Sequence, residues 1–261
     1  MSRPRVRLRP GLRVSVRDGA TLQVGLHPGH RAVLPDLPHV RSLLTLLAHG
    51  VDVDRLAHDQ REALRRLSRE NLLLDADDEV ARSRARERGR VEVVANPSVQ
   101  PAVTRLLAEA GATVSREGRA SVALIVATGA ETRRDDVDRL VQADRAHLLV
   151  NAVAGRLRVG PCVVPGLTAC LRCVDEHLTD RDPRHPLVVE QHLEVDPADH
   201  PRVADLHLGL AWAVRDVVAL LEGDRPTTWS ATVDLDPEGP VTQRWRRHPR
   251  CGCAWGDVLA G

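Results

Sequence analysis

The sequence predicts an α/β protein in two parts: a small domain of three strands followed by three helices, then a domain built on a parallel sheet. Three observations carry this. Apolar and polar residues alternate in three short segments before position 35, and the apolar period then switches to helical spacing. A stretch of almost pure charge follows at 75–90. Beyond it, continuous apolar runs alternate with amphipathic segments, the pattern of strands buried on both faces and joined by crossover helices.

In order along the chain, residues 12–17 alternate, Asp18-Gly19 supplies a hairpin turn, and 21–26 alternate again. Pro28-Gly29 marks a second turn before Arg31, Ala32, Val33 and Leu34. Leu37, Val40, Leu43, Leu44 and Leu47 recur at helical spacing and end at His49-Gly50. A short second helix fits 53–58. A third fits 60–69, with Leu64 and Leu67 inward and arginines outward. Three strands and three helices over residues 1–74 make a winged-helix-like arrangement. The charged segment 75–90 has no apolar period and is expected to be a solvated linker. The second domain, 91–261, opens with a strand at 91–95. A helix follows at 99–110 with Gly111 at its C-cap, then a buried strand at 121–127, a helix at 135–146 and a buried strand at 148–150. Residues 206–221 form a long apolar helix closed by Gly223.

The chain of 261 residues is 43% hydrophobic and 28% charged, which excludes a disordered or fibrous protein. No apolar run reaches the roughly 18 residues of a membrane span, and the arginine-rich start has no apolar stretch behind it. The expectation is a cytoplasmic protein that does not engage membranes. Lys, Phe and Tyr are absent, so all 37 basic residues are arginine, and Schiff-base or P-loop lysine chemistry is excluded. A net charge of +1 gives no global field toward nucleic acid.

Five cysteines are present. Cys170 and Cys173 form a C-x-x-C pair, and Cys251 and Cys253 form a C-x-C pair. Two close pairs of thiolates suit a tetrahedral Zn2+ ion, each pair spanning one edge; a closed four-thiolate site is structural, with no open position for chemistry. Taken alone, Cys170 and Cys173 also read as a redox pair or as two buried small residues. His248 is a competing ligand beside the second pair, and Cys162 reads as a buried strand residue. The histidines show no catalytic metal spacing.

In such an α/β domain the first strand-to-helix turn is the natural phosphate site, where glycines let backbone N–H groups reach the ligand. Here that turn is Ala95-Asn96-Pro97-Ser98-Val99-Gln100-Pro101. It has no glycine, and each proline removes a donor.

The run Gly160-Pro161-Cys162-Val163-Val164-Pro165-Gly166-Leu167-Thr168-Ala169-Cys170-Leu171-Arg172-Cys173, with Asp180-Arg181-Asp182-Pro183 and His248-Pro249-Arg250-Cys251-Gly252-Cys253, resembles the ThiF-like proteins of azole-forming (TOMM) ribosomal peptide clusters. These cyclodehydratase-domain or leader-peptide-binding proteins are relatives of ubiquitin-activating adenylyltransferases. The resemblance covers roughly 90–261, and the first 75 residues are similar to the peptide-recognition domain of the same family. It implies a Rossmann-like ThiF-type domain carrying a zinc knuckle. Active relatives carry a glycine-rich turn and an acidic D-x-x-D-type segment. Here Leu124-Ile125-Val126-Ala127-Thr128-Gly129-Ala130 stands in the latter place without an aspartate. The implied protein is a degenerate relative that kept the scaffold and lost ATP chemistry.

The leading expectation is therefore a non-catalytic module. It captures a precursor leader by strand addition at Arg31, Ala32, Val33 and Leu34, over a groove floor of Arg61, Leu64, Arg65 and Ser68. From the resemblance, the leader is then presented to a YcaO-type cyclodehydratase, and a homodimer is plausible. The competing expectation is an ATP-dependent adenylyltransferase or sulfur-transfer activator, using Arg133, Arg134 or Asp135-Asp136. A third is a winged-helix DNA-binding regulator with Arg61, Arg65, Arg66 and Arg69 in a major groove. Against it stand the order of strands before helices and the low net charge. Trp212 is expected in the core, Trp245 and Trp255 around the second cysteine pair, and Asp180 and Asp182 in a turn.

Overall fold

The computed structural model describes residues 5–115, 120–196, 199, 201–236 and 238–254. The chain divides into two units, 1–83 and 84–261. Among the described residues no helix is long and apolar enough to cross a membrane.

The first unit runs β1 (Arg5–Leu8), β2 (Val14–Val16), β3 (Thr21–Val24), β4 (Ala32–Pro35), α1 (Pro38–His49), β5 (Val51–Asp52), a single 3-10 turn at Val53–Arg55, α2 (His58–Arg69) and β6 (Leu73–Asp75). The three alternating segments form one antiparallel meander, β2-β3-β4, with Val16 opposite Leu22 and Leu22 opposite Leu34. The period of two places Leu22, Val24, Ala32 and Leu34 on one face. There they join Val40, Leu43 and Leu47 of α1 and Leu64 and Leu67 of α2 in one core. Each fully buried leucine contributes roughly 2 kcal/mol of transfer free energy. A second small sheet, β5-β1-β6, is made of strands of two to four residues. It pairs Val6 with Val51 and Leu8 with Leu73. Strands this short leave no readable period.

The 75–90 segment, expected as an irregular linker, is a helix: α3 spans Ala76–Arg88, and the two units meet within it. None of its residues is buried, so it is solvated as expected, but charge rather than apolar packing orders it. The Asp75 carboxylate accepts from the N–H groups of Asp77 (2.9 Å) and Asp78 (3.2 Å). Asp77, Asp78 and Glu79 fill the first turn and Arg86 and Arg88 the last, each sign at the favourable end of the helix dipole.

The second unit runs β7 (Arg90–Ala95), α4 (Gln100–Glu109), β8 (Thr113–Ser115), β9 (Val122–Thr128), α5 (Arg134–Gln142), β10 (Ala146–Val153), β11 (Arg156–Val163), α6 (Leu171–Arg181), α7 (His185–Gln191), α8 (Val203–Leu221), β12 (Ala231–Asp236) and β13 (Gly239–Arg244). Its sheet is ordered β13-β12-β11-β10-β9-β7-β8. The expected parallel ladder occupies one half, β10-β9-β7-β8. The other half, β10 to β13, is antiparallel, so the sheet as a whole is mixed. Leu148, Val150 and Ala152 of β10 point to one core with residues of α4 and α8. Leu149, from the alternate register, points to the other face with Val137 of α5 and Leu171 of α6.

Asp216 of α8 is 1% exposed and anchors the loop before β12. Its carboxylate accepts from the Thr228 N–H (2.9 Å), the Thr228 hydroxyl (2.7 Å) and the Thr227 hydroxyl (2.8 Å). Asp216→Ala strands these donors, and we expect a loss of about 3 kcal/mol in chemical unfolding. A change below about 1 kcal/mol would mean the loop holds itself.

Candidate metal centre and open sheet edge

Thr168 and Ser230 set up the first cysteine pair. The Thr168 hydroxyl accepts from the Val164 N–H (2.8 Å), and the Ser230 hydroxyl accepts from the Ala169 N–H (2.9 Å). This fixes Cys170 as the residue that begins α6, with Cys173 one turn on. The second pair arrives from the end of β13. Arg247 donates to the carbonyls of Gly166 (2.9 Å) and Cys253 (3.1 Å), tying the returning chain to the loop before α6. The four sulfurs converge: Cys170 to Cys173 is 3.7 Å, Cys170 to Cys251 3.5 Å, and Cys173 to Cys253 3.3 Å. These distances are too long for disulfides, and all four thiols are free. A tetrahedral ion with metal–sulfur bonds of about 2.3 Å requires sulfurs about 3.8 Å apart, so the donor set fits a thiophilic divalent ion with small adjustment.

The electrostatics fit the same chemistry. Hydrogen bonds with Cys170 and Cys253, and from the His248 N–H, pull the Cys173 thiol well below the usual thiol range. Contact with Cys173 pushes the Cys170 thiol up, and burial pushes Cys251 up to about 12. Four sulfurs at this spacing cannot all carry charge without a cation among them. Cys162 stands apart in β11, 1% exposed, with burial raising its thiol to about 12. It is the buried strand residue expected.

His248 supports the cluster without joining it. Its backbone N–H donates to Cys173 Sγ (3.3 Å). Its Nδ1 accepts from the Arg250 N–H (3.2 Å), which leaves the proton on Nε2 to donate to Asp180 (3.0 Å). Both ring nitrogens are thus committed away from the sulfurs. Asp180, expected only in a turn, also takes a hydrogen bond from the Arg250 guanidinium, which reaches Glu176 as well (3.0 Å). Asp182 does make the turn, accepting from the Arg184 N–H (3.0 Å). Trp245 is 5% exposed in the same cluster as Cys170, Cys173 and Cys251. Trp255 lies outside the described residues. Trp212 is half-buried against the α4–α8 core, its indole N–H on Thr227 Oγ1 (2.9 Å).

At the β7–α4 turn several of the donors that a phosphate would need are turned inward or missing. The N–H groups of Val99 and Gln100 both donate to the Asn96 carbonyl (2.9 Å each). The Asn96 amide donates to Thr128 Oγ1 (2.7 Å), and Pro97 and Pro101 have no N–H. The chain also closes the neighbouring end of β9. The Glu131 N–H donates to the His192 carbonyl (2.7 Å), and the Asp196 N–H to the Gly129 carbonyl (2.8 Å). Gly129 has φ +72°, and a Cβ there would stand 3.1 Å from the Asp196 carbonyl oxygen, so this close approach needs glycine. The Glu131 carboxylate, which the sequence reading passed over, is held by Arg134 (2.8 Å) and Asn151 (3.0 Å). Arg134 is further fixed by Asp175 (2.8 and 3.0 Å), so it is a structural cation.

In the first unit β4 is an edge strand. The Asp36 N–H donates to the Ala20 carbonyl (2.8 Å), so even-numbered residues of β4 direct their main chain at β3. The alternation turns the N–H and C=O of Val33 outward. Ala32 and Leu34 are buried in the core, while Arg31 is exposed and Val33 half-buried. Of the expected groove floor, Arg65 and Ser68 are exposed on α2. Leu64 is 8% exposed and belongs to the core. The Arg61 guanidinium bends back onto the carbonyls of Leu56 (3.1 Å) and Asp54 (3.4 Å).

No family model matches the chain, and no curated protein matches it in sequence. Solved structures do match it in fold. The heterocyclase TruD superposes with a TM-score of 0.73 at 16% identity, over 96% of this chain and 43% of that one. A heterocyclase in complex with substrate and cofactor gives 0.69 at 16% identity, over 96% and 39%. MccB of E. coli with MccA gives 0.66 at 12% identity, over 96% and 99%. The chain has the TruD and MccB fold. It spans about two fifths of the heterocyclases and nearly all of MccB. The resemblance noted in the sequence, for the first 75 residues as for 90–261, therefore holds at the level of fold. MccB has also been solved with ATP. In this version of the TruD and MccB fold, the Val99 and Gln100 N–H groups and the Asn96 amide at the β7–α4 turn bond within the chain.

Proposed function

We propose that this protein recognises the leader segment of a ribosomally made precursor peptide and presents it to a separate YcaO-type cyclodehydratase for azoline and azole formation. The observation that carries the reading is the open main chain of the β4 edge beside α2, in a chain whose β7–α4 turn has no glycine and two prolines. A leader adding as a strand pairs with Val33, while its side chains meet Arg31 at the edge and Arg65 and Ser68 on α2. The first unit acts as a winged-helix-like peptide-recognition domain. The second serves as a ThiF-type scaffold whose adenylyltransferase chemistry has been lost. Zn2+ is the ion that four clustered thiolates at tetrahedral spacing, three of them buried, select, and its role is structural because no position is left open. The partners are the leader, the cyclodehydratase and, in a homodimer, a second copy. The work is done in the cytoplasm.

Titration calorimetry of the zinc-quantified protein tests this directly. A leader encoded beside the protein should bind with micromolar or tighter affinity, and ATP–Mg should give no heat. ATP binding would instead support the adenylyltransferase reading, despite the glycine-free turn with its two prolines.

A further inference from the structure

The sheet of the first unit has a second open edge. The Arg13 carbonyl accepts from the Gly25 N–H (3.1 Å), and the Arg17 N–H donates to the Thr21 carbonyl (3.0 Å). Odd-numbered residues of β2 therefore face β3, and the N–H and C=O of Val14 and Val16 turn outward. No strand pairs with them among the described residues. The side chains at this edge are sorted by face. Val14 and Val16 share the core face with Leu22 and Val24, yet lie past the rim of the core and are 43% and 67% exposed. Arg13, Ser15 and Arg17 take the opposite face, where a groove of about 640 Å3 runs toward His27 and His30. Every ionisable side chain lining that groove is basic, and Leu26, 74% exposed, adds an apolar wall. Among the described residues neither Arg13 nor Arg17 makes an ion pair within 4 Å of a carboxylate; Arg17 reaches Gln23 (3.4 Å), and, after the Ala20 N–H, its charge helps to lower the Asp18 carboxyl.

We propose that the β2 edge docks an extended acidic segment of a partner protein, in which carboxylates alternate with β-branched or other apolar residues. A strand added here pairs with Val14 and Val16. Its alternate side chains then fall against Val14 and Val16 on one face and beside Arg13 and Arg17 on the other, which sets the alternation. A second copy of the chain fits poorly in the antiparallel register that pairs Val14 with Val16, because it sets Arg13 opposite Arg17. Nucleic acid fits less well too. Two arginines fall short of the roughly six to ten phosphate contacts of a duplex binder, and the first unit contains no Phe, Tyr or Trp on which single-stranded bases could stack. This inference does not depend on what occupies β4, and both edges can be filled at once.

The test uses the full chain and a fluorescent peptide of alternating Glu and Val, with an alternating Lys–Val peptide and a DNA duplex as comparators. The Glu–Val peptide should bind at least about tenfold tighter than the Lys–Val peptide and weaken as salt screens the arginines. Backbone NMR shifts should centre on Val14 and Val16, with Val33 unmoved. The exposed-surface double variant Arg13→Glu/Arg17→Glu should lose at least about tenfold in affinity, with its thermal unfolding unchanged. Equal binding of both peptides, no binding at millimolar peptide, shifts confined to β4, or tighter binding of the duplex would each overturn the proposal.

Discussion

Cys170→Ser and Cys253→Ser should each abolish zinc binding and remove most of the stability of the second unit. Each substitution takes away one corner of the tetrahedron, leaving three crowded sulfurs 3.3–3.7 Å apart in the cluster around Trp245. Structural zinc binding is worth about 10–16 kcal/mol in peptides that fold only around the metal. This unit also has an apolar core between its sheet and helices, so the expected loss is smaller, at least about 3 kcal/mol. Metal analysis should fall from one zinc per chain to near none, and tryptophan emission should shift red as Trp245 meets water. Cys162→Ala is the control and should keep its zinc, because that thiol lies outside the sulfur cluster. A metal-free serine variant as stable as the parent protein would remove zinc from the account.

Val33→Pro should abolish leader binding while leaving the fold intact. The outward N–H of Val33 makes no bond within the sheet, so proline there costs β4 none of its pairing with β3. An incoming strand, however, loses its donor at Val33 and meets the pyrrolidine ring instead. Pro35, two residues on, already lacks an N–H, so the open edge is short and Val33 lies at its centre. We expect at least about a hundredfold loss of affinity with little change in thermal unfolding. Unchanged affinity in a folded variant would exclude strand addition at β4.

The elements legible in the sequence were those whose apolar period ran long enough to be counted. The alternation in β2 to β4 and the continuous run of β9 reported their type, and the alternation in β3 and β4 and the leucines of α1 also reported their buried face. What stayed hidden had physical reasons. β1, β5 and β6 are too short to show a period. Helix α3 is ordered by an Asp75 cap and dipole-matched charges, so a search for apolar spacing reads it as solvated chain. The antiparallel half of the sheet was not anticipated beyond the burial of Cys162 in β11. For the metal centre, spacing alone paired the four cysteines, because thiols so placed have few other uses. The supporting roles of His248, Asp180 and Arg250 depend on a fold-back of about 70 residues and left no local signal. The same holds for Arg61: helical spacing turns Leu64 inward, where the core has it, but only packing shows Arg61 folded onto the preceding turn.

The separation of the two cysteine pairs constrains how the second unit is made. Cys170 and Cys251 are 81 positions apart, with α6, α7, α8, β12 and β13 between them. On a ribosome, the first pair emerges with two ligands and must wait for the others. A half-site of two thiolates holds zinc weakly, and during that interval it is open to oxidation or to the wrong metal. The β7–β10 ladder can assemble meanwhile from neighbouring segments, but the ion can lock the unit only after the last two cysteines appear. With the proposed zinc at this site, maturation becomes a late, all-or-none event that depends on zinc supply, and a chain that stalls before Cys251 leaves two thiols without their partner ligands.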